Sequence, residues 1–158
     1  MTRPDFAFMR PRLSRWIAFG AGAGLSGIAP GTAGTLWAWA AWSLLAPRLS
    51  DLQIGVGLLL AFALGCWACG RTADDMGVQD HGAIVWDEIV AFWLVLWIAP
   101  GGFGWQFAAF LLFRLFDIAK PPPIRQADAR VRGGLGVMLD DLLAAGYTLL
   151  ALAIWKSL

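Results

Sequence analysis

The sequence predicts an all-α fold: a single compact, membrane-associated helical domain of about five main helices with two helix hairpins. Three observations predict it. The 158 residues are 59% hydrophobic, with ten Trp and only 15% charged, whereas an ordinary soluble domain carries roughly 25% charged residues. The 23 charged residues are also bunched, leaving uncharged stretches at 16–47, 52–70, 89–113 and 142–155, where soluble helices would show charged faces throughout. Pro and Gly clusters then cut these stretches into helix-length pieces, and no period-2 strand pattern competes. Length fits one domain, composition excludes disorder, and a net charge of +1 gives no basic face for nucleic acid. The expected partner is the lipid bilayer.

Residues 1–15 form a basic arm, with Arg3, Arg10, Arg12 and Arg15 against Asp5. The positive-inside rule puts this arm in the cytoplasm, and residues 16–158 are the embedded domain. A signal peptide is a poor reading of residues 1–30, because the apolar segment is Gly-rich and breaks at Pro30. Gly22-Ala23-Gly24-Leu25-Ser26-Gly27 fits a dinucleotide fingerprint on paper. The next acid is Asp51 and Pro30 intervenes, so the required helix and acid are missing. Gly31-Thr32-Ala33-Gly34-Thr35 reads as a turn leading into a helix, with Thr32 or Thr35 at its start. Free amides and a hydroxyl there suit a phosphate, or serve as a simple N-cap.

The first helix is expected over Thr35–Ala46, and Pro47-Arg48-Leu49-Ser50-Asp51 turns the chain into a second over Ile54–Gly70. This one alone approaches the roughly 20 residues needed to span hydrocarbon. Within it, Cys66-Trp67-Ala68-Cys69 lacks the extra ligands of a zinc site and the context of a redox motif, so the cysteines read as apolar filling. A charged block, 71–88, brings Asp80 and His81, the only histidine. The third helix, Ile84–Ala99, carries Asp87 and Glu88 in its first turn. A macrodipole favours acids there, but a membrane-buried helix makes them costly unless they bind a cation. Mg²⁺, which takes one or two carboxylates together with substrate phosphate, satisfies both conditions.

Pro100-Gly101-Gly102-Phe103-Gly104 closes the second hairpin, and the fourth helix runs over Trp105–Ala119. Arg114, Asp117 and Lys120 follow at a spacing of three, on one broad face. Pro121-Pro122-Pro123 forces an extended exit that holds Arg125. The last helix, Met138–Trp155, repeats the acidic device with Asp140 and Asp141. Alternating crossings bring 71–88 and 114–141, which hold 15 of the 23 charged residues, to the cytoplasmic side. Asp87, Glu88, Asp140 and Asp141 would then lie about one turn inside the apolar boundary, at headgroup level. A small transporter or cation-binding protein using these acids as an ion site is the alternative. It would place acids nearer the middle of the apolar runs.

Four segments carry a family resemblance: Gly24-Leu25-Ser26 with Ala29 to Leu36; Asp80-His81-Gly82 through Val85-Trp86-Asp87-Glu88; Phe113-Arg114 with Asp117, Lys120-Pro121 and Pro123-Ile124-Arg125; and Gly133-Gly134 with Gly136, Met138 and Asp140-Asp141. In this order they resemble the phosphatidylglycerophosphatase A family. Gly27, Ala91, Pro122 and Ala145 depart from its usual residues, none of them at a charged position. The resemblance implies a small helical enzyme of the bacterial inner membrane. It would remove the terminal phosphate of phosphatidylglycerophosphate in a Mg²⁺-dependent reaction that leaves phosphatidylglycerol. On that reading Asp87, Glu88, Asp140 and Asp141 hold the metal, and Thr32, Arg114, Lys120 and Arg125 bind the substrate phosphate. Asp80 or Asp117 orients the attacking water and His81 or an acid protonates the leaving alkoxide, with a carboxylate nucleophile as the competing route.

Overall fold

The computed structural model describes residues 3–158, with side chains for all of these except 127–129. Its elements are all helical: α1 (Phe6–Met9), α2 (Leu13–Ala18), α3 (Pro30–Leu45), α4 (Asp51–Met76), α5 (Trp86–Ile98), α6 (Phe103–Ala119), α7 (Ile124–Arg130) and α8 (Gly133–Ser157), with short 3₁₀ stretches at Gly20–Leu25 and Ala46–Arg48. The five long helices are the five expected from sequence, and α3–α4 and α5–α6 are the two hairpins.

Boundaries moved where a local signal outweighed the apolar pattern. Helix α3 starts five residues early because Pro30 takes its first turn, where a missing N–H costs nothing. Gly31 to Thr35 are therefore helix rather than turn. Ser50 caps α4 reciprocally with Gln53, and Gly77 ends it in the left-handed region. At about 1.5 Å per residue, α4 and α8 reach nearly 40 Å, long and apolar enough to cross a bilayer. The 13-residue α5 reaches only about 20 Å and falls short of a span.

Helix α5 is the central element, packed by α3, α4 and α8. Ile89, Phe92 and Val95 are fully buried along it, with Phe113 of α6 and Leu152 of α8 in the same cluster. The indole N–H groups that accompany this packing are satisfied: Trp93 donates to the Ala38 carbonyl at 2.9 Å and Trp86 to the Ala61 carbonyl at 3.0 Å. Where lipid replaces water, close packing by small residues holds helices together. The antiparallel α4–α8 pair shows it: a Cβ on Gly134 would stand 1.7 Å from the Cys66 carbonyl oxygen. Cys69, fully buried, fills this seam with the thiol free.

The basic arm is not a separate unit. Met9 is buried in a second core cluster with Phe19 and Ile84, and α2 runs across the expected boundary at residue 15. Arg12 and Arg15 both pair with Asp75 at the end of α4, at 2.7 and 3.1 Å. Those ion pairs tie the arm to the charged end of the bundle.

Candidate active site

The N-termini of α3, α5 and α8 and the C-termini of α4 and α6 meet at one end of the bundle. Asp87 and Glu88 come from the first turn of α5, and Asp141 comes from the third turn of α8. One carboxylate oxygen from each lies within 4.8 Å of the others. Asp87 and Asp141 are only 6% and 3% exposed. Asp87 Oδ1 and Glu88 Oε2 are buried with no hydrogen-bond partner.

Such an arrangement is electrostatically expensive. Burial pushes the Asp87 carboxyl well above the usual carboxylate range, with Glu88 and Asp141 adding repulsion, and burial lifts Glu88 to about 7. Unsatisfied buried acceptors cost roughly 1–3 kcal/mol each. A divalent cation removes both penalties, and an all-oxygen donor set suits a hard ion such as Mg²⁺. The three residues fit that group.

Arg114 of α6 forms the opposite wall. Its Nη1 lies 2.6 Å from Asp117 Oδ2 and 3.5 Å from Glu88 Oε1, and it donates to Thr35 Oγ1 at 3.5 Å. Its Nε is buried and unpartnered. The first turn of α3 abuts both groups. A Cβ at Gly31 would stand 2.1 Å from Glu88 Oε1 and 3.0 Å from Arg114 Nη2. A helix N-terminus and a guanidinium beside the carboxylates are the elements of a phosphate seat.

The remaining expected residues divide. Asp117 holds Arg114 and also reaches Asp141. Asp80 precedes α5 and is near enough to act on Glu88. Thr32 is half-buried in the first turn of α3. Asp140 turns away from its neighbour: its Oδ2 takes Lys120 Nζ at 2.6 Å and its Oδ1 accepts the Asp141 N–H. Asp87 and Glu88 both join the cluster from α5, whereas α8 contributes only Asp141. His81 accepts the Ala83 N–H and lines a cavity of about 400 Å³ with Arg3, Asp5 and Asp75, whose walls include none of the three clustered acids. Arg125 is exposed on α7.

Residues 16–156 match the family model described as phosphatidylglycerophosphatase A. The chain belongs to the phosphatidylglycerophosphatase A family. Proteins of that name from Haemophilus influenzae and Escherichia coli are 47% and 43% identical over 138 and 144 residues, spanning 85% and 89% of this chain and 83% of each relative. A Bacteroides thetaiotaomicron protein with a provisional phosphatidylinositol-3-phosphatase name is 38% identical over 161 residues, spanning 98% of this chain and 96% of its own. No solved structure matches the chain.

Two features of the site carried a weak sequence signal. Thr35 was one of two candidate hydroxyls, and only the early start of α3 directs it at Arg114. Gly31 was legible as part of a turn, but its contact with Glu88 depends on how α3 meets α5.

Proposed function

We propose that this chain hydrolyses the terminal phosphomonoester of phosphatidylglycerophosphate to phosphatidylglycerol and inorganic phosphate, with Mg²⁺ held by Asp87, Glu88 and Asp141. The observation that carries the reading is the set of buried, partly orphaned carboxylates facing Arg114 and the first turn of α3. When bound, the ion supplies positive charge for the phosphoryl oxygens.

The protein's own groups do the rest. Arg114 takes charge on the phosphate as the P–O bond to the lipid breaks, and the first-turn amides of α3 add two-point orientation. Asp117 fixes the guanidinium, so it positions Arg114 rather than activating water. Asp80, on the Glu88 side, orients the attacking water and takes its proton as the new P–O bond forms, and that proton passes to the glycerol oxygen released as the old P–O bond breaks. Lys120, anchored by Asp140, neutralises the outer phosphate charge. His81 has no part in this scheme, and Arg125 meets the headgroup from the exposed side.

Ten of the twelve basic residues belong to the site end of the bundle, with Arg48 and Lys156 at the other. By the positive-inside rule this distribution supports a site facing the cytoplasm, and the proposed setting is the bacterial inner membrane. The test is phosphate release in detergent from phosphatidylglycerophosphate and from phosphatidylinositol 3-phosphate, with Mg²⁺ and with chelator. Mg²⁺-dependent release from the first substrate is expected. Release indifferent to chelation, or confined to the inositol lipid, would refute the assignment.

A further inference from the structure

Residues 77–85, between the left-handed Gly77 that ends α4 and the start of α5, carry Asp80 to the Glu88 side of the site. The second half of this segment is firmly anchored. Ala83, Ile84 and Val85 are buried, the Ala83 carbonyl packs against Gly24, and the Val85 N–H donates to the Ala18 carbonyl at 2.8 Å. His81 closes the turn between that anchor and Asp80. Its backbone carbonyl accepts the Ile84 N–H at 2.7 Å, and its ring Nδ1 accepts the Ala83 N–H at 3.1 Å. A side-chain acceptor that bonds the N–H two residues on makes the geometry of an Asx turn, here with imidazole in place of a carboxamide. An imidazole nitrogen accepts only without a proton, so the ring proton sits on Nε2. The ring lines a cavity whose walls include none of the clustered acids, and its route to the site is the backbone of the turn.

We propose that His81 is a positioning residue, whose Nδ1 acceptor fixes the turn that directs Asp80 toward Glu88. The proposal rests on the hydrolase reading above, in which Asp80 takes the proton of the attacking water. Asp80 adjoins His81 in the chain, so a change in the His81 turn redirects the Asp80 side chain, whereas α5 keeps its own anchor at Val85. The role demands an acceptor at one point and no proton transfer. That separates it from a general acid, which needs the ring itself within hydrogen-bond reach of the departing oxygen. It also dictates which residues can substitute. Asn places a carbonyl oxygen where Nδ1 stands and makes the same turn, while Phe keeps a ring but offers no acceptor.

The test measures Mg²⁺-supported phosphate release from phosphatidylglycerophosphate by wild type, His81→Asn, His81→Phe, Asp80→Asn and the double variant Asp80→Asn/His81→Phe, each with its thermal midpoint in detergent. His81→Phe should lower kcat about 10–10²-fold, the cost of misplacing a catalytic group by up to about 1 Å, with KM within about twofold. His81→Asn should return kcat to within about threefold of wild type. In the Asp80→Asn background, adding His81→Phe should cost less than about twofold more, because a residue acting through Asp80 then has nothing left to position. The rise in thermal midpoint given by Mg²⁺ should persist in His81→Phe, since α5 and its acids keep their anchor. Independently of any variant, ¹⁵N NMR of the untagged chain, in which His81 is the only histidine, should show Nδ1 bare and Nε2 protonated at pH 8. The opposite tautomer would overturn the proposal. His81→Asn as slow as His81→Phe would also overturn it and return the ring to proton transfer. Losses that multiply in the double variant, a wild-type rate in His81→Phe, or a Mg²⁺ response lost with the ring would refute it too. Wild-type protein that releases no phosphate from this lipid would instead remove the hydrolase reading, whereas an active wild type indifferent to Asp80→Asn would remove Asp80 from that reading and the proposal with it.

Discussion

Replacing Gly31 with Ala tests whether the first turn of α3 is part of the site. The new Cβ would lie 2.1 Å from Glu88 Oε1 and 3.0 and 3.2 Å from the two Arg114 Nη atoms. All three are ends of side chains, so the backbone can stay in place while Glu88 and Arg114 retreat. A shift of about 1 Å in a catalytic group costs about 10²-fold in rate, or roughly 2.7 kcal/mol of barrier. The helix itself loses nothing, because Ala is preferred over Gly by up to about 1 kcal/mol. Initial rates of phosphate release should therefore fall about 10²-fold while the thermal midpoint in detergent stays level or rises. Gly146→Ala on α8, whose Cβ would meet nothing within 4 Å, should leave the rate unchanged while its thermal midpoint likewise stays level or rises. Wild-type rates in Gly31→Ala, or a rate loss that merely follows a drop in thermal midpoint, would refute the reasoning.

Asp87→Asn, Glu88→Gln and Asp141→Asn should each lower Mg²⁺-supported turnover by about 10²–10³-fold, and each should blunt the rise in thermal midpoint that Mg²⁺ gives the wild type. Asp140→Asn should retain at least about tenfold more activity than Asp141→Asn, because Asp140 anchors Lys120 rather than facing the cluster; equal losses would return Asp140 to the ligand set. The pH dependence of stability follows from Glu88, which burial lifts to about 7 in the folded state. The folded chain holds that proton more tightly than the unfolded chain, so the stabilisation is full below the ordinary glutamate range and is lost as pH rises through about 7. In chelator the thermal midpoint should fall between pH 5 and pH 8, and saturating Mg²⁺ should flatten that fall; a midpoint rising over this interval would contradict it.

Much of this was legible in sequence because charge placement is a strong signal in an apolar chain. The uncharged stretches located the five long helices, and the two acidic pairs pointed to the end of the bundle where three of their acids cluster. Register was not legible. Asp140-Asp141 reads as a repeat of Asp87-Glu88, yet α5 gives both of its acids to the cluster while α8 gives one and pairs the other with Lys120. His81 attracted a catalytic role as the lone histidine, but its position depends on how the 77–85 loop folds back. That loop is pinned where Gly24 meets the Ala83 carbonyl oxygen, at 2.0 Å from an added Cβ, and no periodicity announces such a contact. The short helices α1, α2 and α7 lacked the length for a pattern.

The glycines explain how so much charge is brought together in a fold with little polar surface. Gly134 lets α8 touch the α4 backbone at Cys66, and Gly31 lets α3 close on Glu88 and Arg114. Those approaches confine like charges, and burial then raises the cost of ionising them. Packing is thus spent on holding repelling groups in place. The glycine contacts that close the bundle thus hold repelling carboxylates beside Arg114 at its charged end, and that repulsion is the physical ground for the metal and phosphate binding proposed above.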